Sequence, residues 1–183
     1  GALGRFEYAE LGKYGSGGNK YGKGWASLSN TPFREYKHYA HQGGVQSPLI
    51  AHWPKGISSN LNSRILEQPS YLPDLVETCL DIGAASRPER KNGKSVPKGE
   101  GISLVKTLKG SSDSIHEKPF FIEHEGNRIA RDGNWKLVSY FDKPWELYDL
   151  DGDRSESNDL AKRHPEIVKR LNKAYVNWAK RSG

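Results

Sequence analysis

The C-terminal third of the chain most constrains the fold, because it alternates short apolar runs with turn residues and then changes to a helical pattern. Pro119–Glu123 and Trp145–Leu150 have the length and apolar content of strands. Between them, residues 128–139 form two more runs on either side of Asp132-Gly133-Asn134, a composition that favours a tight hairpin turn. Together these runs predict a small antiparallel sheet.

A single amphipathic helix is predicted to follow the sheet, over about Pro165 to Lys180. Pro165 suits the first turn of a helix, and the apolar side chains after it recur at helical spacing. They are Ile167, Val168, Leu171, Ala174, Tyr175 and Trp178. We therefore predict that residues 111–183 form a subdomain with a small antiparallel sheet and one covering helix.

The first 110 residues contain long stretches without a sustained period. Residues 1–30 are rich in Gly, Tyr and Lys and predict a long loop, and residues 86–100 predict a second one. Val45–Trp53 is typical of a short buried strand that is closed by Pro54. Residues 55–69 predict a polar connection.

A helix is predicted over Ser70–Ala85, with Ser70 as its N-cap and Gly83 near its C-terminus. Its expected buried face consists of Leu72, Leu75, Val76, Cys79, Leu80 and Ile82. Because Cys79 falls on that apolar face, we expect an inert, buried thiol rather than a nucleophile.

The net charge of +6 is concentrated in the first third of the chain. Residues 1–60 carry seven Lys/Arg against three Asp/Glu, whereas residues 61–183 carry 21 against 19. An ordinary solvated surface is the default interpretation, and a site for an anionic substrate is the sharper one. No helix-turn-helix, zinc-finger or RNP pattern supports nucleic acid as a partner. No apolar stretch approaches the roughly 20 residues of a membrane span.

The basic segment Thr31–Gly44 carries the main candidate site. Lys37 stands six residues before the Gly43-Gly44 pair, and the predicted strand follows. This order can place a fixed ammonium beside a tight backbone turn at the mouth of a strand, where ligand sites of α/β proteins tend to form. Lys37 is therefore a candidate anion contact.

Two partial motifs predict loops rather than ligand sites. Gly17-x-x-x-x-Gly22-Lys23 begins like a phosphate-binding loop, but Gly24 stands where the magnesium-binding hydroxyl belongs. Asp149-x-Asp151-x-Asp153 suggests a calcium loop, but arginine and leucine occupy the positions that require glycine and glutamate. We expect a flexible loop and an acidic surface turn.

His38-x-x-His41 would place two imidazoles on one face if this segment were helical. No third ligand stands at a metal-binding spacing, so surface exposure or hydrogen-bonded packing is the expected fate of both histidines. A role near an anionic substrate is the alternative, and it depends on Lys37 lying in the site.

An ordered series of segments resembles the sulfatase family, most closely its bacterial arylsulfatase type. Asn30-Thr-Pro-Phe-Arg34, the Tyr36-Lys37 pair and Gly43-Gly44 are followed by Pro48-Leu-Ile50 and Trp53-Pro54, as in that family. The resemblance continues through Tyr71–Thr78, Phe121–Arg128, Arg131–Val138, Trp145–Leu150 and Asn158–Ala161. It covers nearly the whole chain in order and at sensible spacing.

The resemblance implies the C-terminal portion of an alkaline-phosphatase-like α/β sandwich, about residues 1–110, followed by the sheet-and-helix subdomain, about residues 111–183. The family hydrolyses sulfate esters with a formylglycine nucleophile and a Ca²⁺ ion, and the residues that carry both are expected upstream of this chain. Lys37 corresponds to the lysine that contacts sulfate. Gln42 departs from the family pattern, in which many members have glutamate.

Ser86-x-Pro88-x-Arg90 fits the bare skeleton of the formylglycine signature, but we reject it as the nucleophile. It lies after the lysine segment, which is the wrong order, and a polar Lys91–Lys94 run replaces the apolar helix that should follow.

We therefore hypothesise the C-terminal part of a sulfatase acting on an aryl or carbohydrate sulfate, which needs the remainder of its polypeptide and is inactive alone. Cofactor and metal ligands are expected in none of these residues, and a periplasmic or secreted location is expected from the family. A phosphodiesterase or phosphonate hydrolase of the same superfamily and a non-catalytic module that binds sulfated polysaccharide remain the alternatives.

Overall fold

The computed structural model describes residues 22–182, which contain five α-helices and six strands in a mixed α/β arrangement. The helices are α1 (Gly22–Ser29), α2 (Gln42–Val45), α3 (Leu72–Ile82), α4 (Val105–Leu108) and α5 (Pro165–Ser182), and a short 3-10 helix spans Ser59–Leu61. The strands are β1 (Arg90–Lys91), β2 (Lys94–Ser95), β3 (Phe120–His124), β4 (Asn127–Asp132), β5 (Trp135–Ser139) and β6 (Glu146–Asp149). No described helix is both long enough and apolar enough to cross a membrane.

The chain divides into two compact units. One combines the described residues up to Ser47 with those from Phe121 onward, and the other is Pro48–Phe120. This division follows packing within the chain. The predicted boundary near residue 110 concerns the domains of a longer protein, and it stays a prediction.

A four-stranded sheet in the order β3-β4-β5-β6 forms the centre of the first unit, as the sequence predicts. Strands β4 and β5 are antiparallel and turn at Gly133, whose φ of +56° is the left-handed conformation that a tight hairpin requires. The β5–β6 pair is also antiparallel and places Lys136 opposite Tyr148. The predicted sheet is therefore confirmed.

Helix α5 covers one face of this sheet. Leu171 and Tyr175 pack against Ala130, Leu137 and Leu147, and all five are buried. Because successive side chains of a strand point to opposite faces, these residues of β4, β5 and β6 share one face. The predicted covering helix is confirmed, and the apolar stripe of its sequence is the surface that it buries.

The opposite face of the sheet is covered by the segment that carries Lys37. Ala40 lies in a buried cluster with Ile129, Val138, Tyr148 and Leu150. Ile129 and Val138 are sequence neighbours of Ala130 and Leu137, which face α5. Because side chains alternate between the two faces along each strand, the sheet has one face covered by the helix and one face covered by the loop.

The predicted strand over Val45–Trp53 is wrong. Val45 ends α2, residues 46–53 have no strand partner among the described residues, and Leu49 and Ile50 are 53% and 90% exposed. An apolar run becomes a strand only where a neighbouring strand accepts its hydrogen bonds, and the described part of the chain supplies none at this place.

Helix α3 confirms the predicted helix but not its predicted buried face. Its N-cap is Tyr71 rather than Ser70, and Cys79 is exposed, as are Leu72, Val76 and Ile82. The helix buries Asp74 and Thr78 instead. The prediction of a buried thiol at Cys79 is therefore wrong.

Hydrogen bonds explain why the polar side of α3 is the buried one. The Asp74 carboxylate accepts from the backbone N–H groups of Tyr71, at 2.9 Å, and Ile102, at 2.8 Å, and it lies 2.9 Å from His116 Nε2. Thr78 Oγ1 accepts from the N–H of Leu104 at 2.8 Å. Apolar periodicity alone cannot reveal such a buried polar network.

Two predicted loops contain regular structure. Residues 22–29 of the predicted 1–30 loop form α1, and residues 1–21 lie outside the described residues, together with most of the Gly17–Lys23 motif. Within residues 86–100, β1 and β2 form a short hairpin. It turns at Asn92 and Gly93, which both have positive φ as tight hairpin turns require.

Candidate functional site

Lys37 lies in the loop between α1 and α2, and it is exposed. Within residues 22–182, its ammonium has no hydrogen bond or ion pair. By contrast, Arg34 and His41, which lie on either side of it in sequence, form hydrogen bonds with side chains of the sheet. The ammonium is therefore presented to solvent from a loop that is itself anchored.

Gly43 and Gly44 allow the loop to close tightly on itself. The N–H of Gly43 donates to the carbonyl of Arg34 at 2.7 Å, and the N–H of Tyr39 donates to the carbonyl of Tyr36 at 2.9 Å. A Cβ added at Gly44 would meet the carbonyl oxygen of Tyr39 at 2.0 Å, and one at Gly43 would meet that of Arg34 at 2.3 Å. The glycine pair is therefore required by close backbone approach.

Arg34 anchors the start of the loop on the sheet. Its Nη1 donates to the Tyr148 hydroxyl at 2.7 Å and to the backbone carbonyl of Glu156 at 2.9 Å, and it lies 3.5 Å from the Glu146 carboxylate. One planar guanidinium thus binds β6 and the turn that follows it. Such charge-assisted hydrogen bonds are stronger than neutral ones.

His41 anchors the end of the loop from a fully buried position. Its Nε2 lies 2.9 Å from Glu146 Oε2, and the Tyr148 hydroxyl donates to the same oxygen at 2.7 Å. The hydrogen bond to His41 lowers the pKa of Glu146, against the opposing effect of burial. Burial raises the pKa of the Tyr148 hydroxyl, which remains a donor.

A buried ion pair lies beneath α2. Lys136 Nζ is 2.6 Å from Glu156 Oε1 and donates to Gln42 Oε1 at 3.0 Å, while the backbone N–H of Gln42 donates to Glu156 Oε2 at 2.7 Å. Burial lowers the pKa of Lys136 to about 8, and the charge of Glu156 opposes that effect. This network joins α2, β5 and the turn after β6.

Together, Arg34, His41 and Gln42 fix the backbone on both sides of Lys37. They bind a polar set on the loop-covered side of the sheet, which consists of Lys136, Glu146 and Tyr148 in the strands and Glu156 after β6. A lysine held in this way presents its charge to an anion with little loss of backbone freedom on binding. The arrangement suits an anionic ligand.

His38 and His41 do not lie on one helical face, because the segment that carries them is not helical. His41 is buried and faces the sheet, and His38 is exposed and lies 2.9 Å from the Glu125 carboxylate through Nδ1. Hydrogen-bonded packing of His41 and surface exposure of His38 agree with the expectation.

Sequence reasoning missed the residues that anchor the loop. Lys136 interrupts the apolar run of β5, and Glu146 and Tyr148 alternate with the apolar residues of β6. A charged residue inside a buried strand pattern was the available signal, since such a residue is almost always paired. Its partner could not be identified, because Glu156 lies after β6 in a segment without a periodic pattern.

Gln42 is the position where the chain departs from the pattern of the family that it resembles, and its side chain takes part in the buried network. Gln42 accepts from Lys136 through its side-chain oxygen, while Glu156 supplies the carboxylate that pairs with that lysine. The buried set therefore keeps one positive and one negative charge at this place.

The described residues contain no donor set that suits calcium. The Asp153 carboxylate accepts from the N–H groups of Ser157, at 2.9 Å, and Asn158, at 2.8 Å, and Asp149 accepts from the N–H of Asp151 at 3.1 Å. These oxygens stabilise their own turn. The three-residue group formed by His38, His124 and Glu125 contains two imidazoles, which do not suit a hard cation that prefers oxygen.

The mixed α/β fold, with its small antiparallel sheet and covering helix, is similar to that of a solved structure. The solved crystal structure of Ps i-CgsB superposes on 83% of this chain and 34% of its own, with a TM-score of 0.68 and 22% identity. Likeness at this identity supports the predicted fold class and no more.

The chain belongs to the sulfatases, because residues 35–181 match the family model described as N-sulphoglucosamine sulphohydrolase, C-terminal. It is 27% identical over 175 residues to an uncharacterized sulfatase of Schizosaccharomyces pombe, covering 89% of this chain and 30% of that protein. It is 26% identical over 156 residues to an N-acetylgalactosamine-6-O-sulfatase of Bacteroides thetaiotaomicron, covering 76% of this chain and 28% of that protein. The chain thus spans less than a third of the length of these relatives.

Proposed function

We propose that this chain is the C-terminal part of an enzyme that hydrolyses sulfate esters, and that Lys37 contacts the sulfate group. Membership of the sulfatases supports the reaction class. The observation that carries the residue assignment is the exposed ammonium of Lys37, which pairs with none of residues 22–182 and lies on a loop whose two flanks are fixed to the sheet.

Lys37 has a defined role in this proposal. Its ammonium holds anionic sulfate oxygens and offsets the negative charge that develops on the leaving oxygen, which is the electrostatic contribution expected of a preorganised donor. Arg34, His41 and Gln42 position the loop and do not touch the substrate. Formylglycine and a calcium ion would supply the nucleophile and a Lewis acid from residues outside this chain.

We propose a sulfated carbohydrate as the substrate class. One relative is named for a sulfated sugar, N-acetylgalactosamine 6-O-sulfate, which favours a glycan over a simple aryl sulfate. A periplasmic or secreted location and a division into residues 1–110 and 111–183 belong to the same proposal.

The test is Lys37→Ala in the intact protein, assayed on an aryl sulfate and on sulfated mono- and oligosaccharides. We expect kcat/KM to fall by about 10²-fold or more, as for loss of one transition-state donor. We expect Tm to change little, because the exposed side chain makes no hydrogen bond or ion pair within the described residues that its loss would remove.

Lys169→Ala is the matched control, since Lys169 is an exposed lysine of α5 on the helix-covered side of the sheet. It should retain full activity. Near-normal turnover by the Lys37 variant would remove that residue from the site. Preference of the intact wild type for phosphate or phosphonate esters would overturn the sulfatase reaction. Salt-sensitive binding of sulfated polysaccharide with no turnover would identify a binding module instead.

A further inference from the structure

A second cluster of polar side chains lies beside Lys37, at the turn between β3 and β4. It consists of His38 from the Lys37 loop and of His124 and Glu125 from the turn. Within residues 22–182, this is the only group of three or more such residues whose donor atoms all lie within 4.8 Å of one another. Sequence spacing hides it, because 86 positions separate His38 from His124.

One buried amide fixes the backbone of both histidines. Asn127 is 4% exposed, and its Nδ2 donates to the carbonyl of His38 at 3.2 Å and to the carbonyl of His124 at 3.1 Å. Both hydrogens of one NH₂ group are therefore used to hold the two ligand-bearing segments together. In metal sites, hydrogen bonds from residues behind the ligands commonly hold those ligands in position.

The turn itself is fixed by its backbone conformation. Glu125 and Gly126 have φ of +50° and +78°, as in the tight turns of β-hairpins. The N–H of Gly126 also donates to the Glu123 carboxylate at 2.6 Å. The Cα positions of His124 and Glu125 are thus set by the hairpin, whereas their exposed side chains are free to adjust.

From this geometry we propose that His38, His124 and Glu125 bind a divalent transition-metal ion such as Zn²⁺. Imidazole nitrogen and carboxylate oxygen suit zinc, copper, nickel and cobalt, whereas calcium and magnesium prefer oxygen alone. With bonds of about 2.0–2.2 Å, the ligand atoms of a tetrahedral site lie roughly 3.3–3.6 Å apart. The three donors already lie within 4.8 Å of one another, and one pair, His38 Nδ1 and the Glu125 carboxylate, is 2.9 Å apart, so small side-chain torsions of exposed residues are sufficient to seat an ion. Water completes the coordination.

The ion has a structural consequence for the candidate anion site. His38 already lies 2.9 Å from the Glu125 carboxylate, a surface pair that contributes little by itself. An ion shared with His124 replaces that weak pair by metal–ligand bonds. It ties the residue next to Lys37 to the β3–β4 turn. This inference does not depend on the reaction proposed above.

The proposal is tested by isothermal titration calorimetry, in which ZnCl₂ is added to the untagged 183-residue chain. We expect one equivalent to bind and Ca²⁺ to give no heat at this site. His38→Ala and His124→Ala should each weaken Zn²⁺ binding at least about tenfold, because each removes one of three ligands. Glu125→Gln, which keeps the turn and removes the charge, should weaken it as well.

His164→Ala is the matched control, because His164 is also partly exposed and pairs with a glutamate, Glu166, at 3.4 Å. It should leave Zn²⁺ affinity unchanged, and circular dichroism should show that every variant is folded. As a readout that needs no variant, imidazole NMR signals of His38 and His124 should shift on Zn²⁺ addition. Absence of binding, or equal weakening by His164→Ala, would refute the site.

Discussion

At the scale of single residues, a buried ion pair lies on the loop-covered face of the sheet. Lys136 and Glu156 are almost completely buried and pair at 2.6 Å, and Glu146 lies between Arg34 and His41. Replacement of one member of a buried pair leaves an uncompensated charge, which is more costly than removal of both. These residues therefore belong together as the support of the Lys37 loop.

The depressed pKa of Lys136, about 8, predicts a pH dependence of stability. An unfolded lysine titrates near 10.4, so between about pH 8 and pH 10 the unfolded chain binds more protons than the folded one. The free energy of unfolding should therefore rise with pH in that window, by at most about 1.4 kcal/mol per pH unit. Above about pH 10 it should fall again, because burial keeps Tyr140 and Tyr148 protonated when unfolded tyrosines ionise.

Urea unfolding at a series of pH values measures this dependence. Lys136→Met combined with Glu156→Gln removes both charges without leaving either one alone, and its profile should lose the rise above about pH 8. An unchanged rise in the double variant would show that another group is responsible.

At the scale of elements, the loop that carries Lys37 and helix α5 cover opposite faces of one sheet. Helix α5 does so with apolar side chains, whereas the loop uses close backbone packing and ion pairs. Stability should therefore be sensitive to added volume in the loop and to lost apolar volume in α5.

Gly44→Ala tests the close packing of the loop. Its new Cβ would meet the carbonyl oxygens of Tyr39 and Tyr36 at 2.0 and 2.8 Å, so the backbone has to move. We expect a loss of about 1–3 kcal/mol in the free energy of unfolding, as for other overpacked sites, together with faster hydrogen exchange in the loop. Gly152→Ala, where nothing lies within 4 Å of the added Cβ, should have little effect. Similar losses in both variants would contradict close packing as the reason for Gly44.

Leu171→Ala tests the apolar covering by α5. Leu171 is fully buried against the sheet, so its truncation should cost about 2–5 kcal/mol in chemical unfolding. Val176→Ala on the same helix removes a side chain that is 39% exposed, and it should change stability by less than about 0.5 kcal/mol. A cost at Leu171 no larger than that at Val176 would mean that α5 does not hold the core.

At the scale of the whole molecule, the unit Pro48–Phe120 exposes an unusual amount of apolar surface. Leu72 is 79% exposed and Ile50 is 90% exposed, and Leu49, Ile65, Val76 and Ile82 add to them. Exposed apolar groups in such number usually mark surfaces that another part of a protein covers. In the enzyme that we propose, the remainder of the polypeptide covers them.

Leu72→Asp is therefore expected to act differently in two settings. In the 183-residue chain, Tm should change little because Leu72 is exposed there. In the intact protein, burial of an unpaired carboxylate should lower Tm strongly, with a cost of several kcal/mol. Ser95→Asp, at an exposed position of β2, should be neutral in both. Equal effects of Leu72→Asp in the two settings would contradict coverage by the remaining polypeptide.

Local sequence pattern was sufficient for β3 to β6 and for α5. Each of these elements is indicated by a local pattern, namely apolar alternation in the strands, the Asp132-Gly133-Asn134 turn and the helical spacing of Ile167 to Trp178. It was not sufficient for Val45–Trp53 or for the orientation of α3, because strand pairing and the burial of Asp74 depend on partners remote in sequence. Lys37 was singled out by its place before the glycine pair and by resemblance, and its assignment stays a proposal.

The sequence by itself determined the sulfatase family, the sheet with its covering helix and the position of Lys37 before a glycine pair. Each of these follows from a local pattern of residues or from the order of segments along the chain. Only the tertiary structure decided what holds that lysine segment and what lies beside it. Arg34, His41 and Gln42 meet their partners in β5, β6 and the following turn, and His38 meets His124 across the β3–β4 turn. Such pairings join residues about a hundred positions apart, and burial selects them rather than any local propensity.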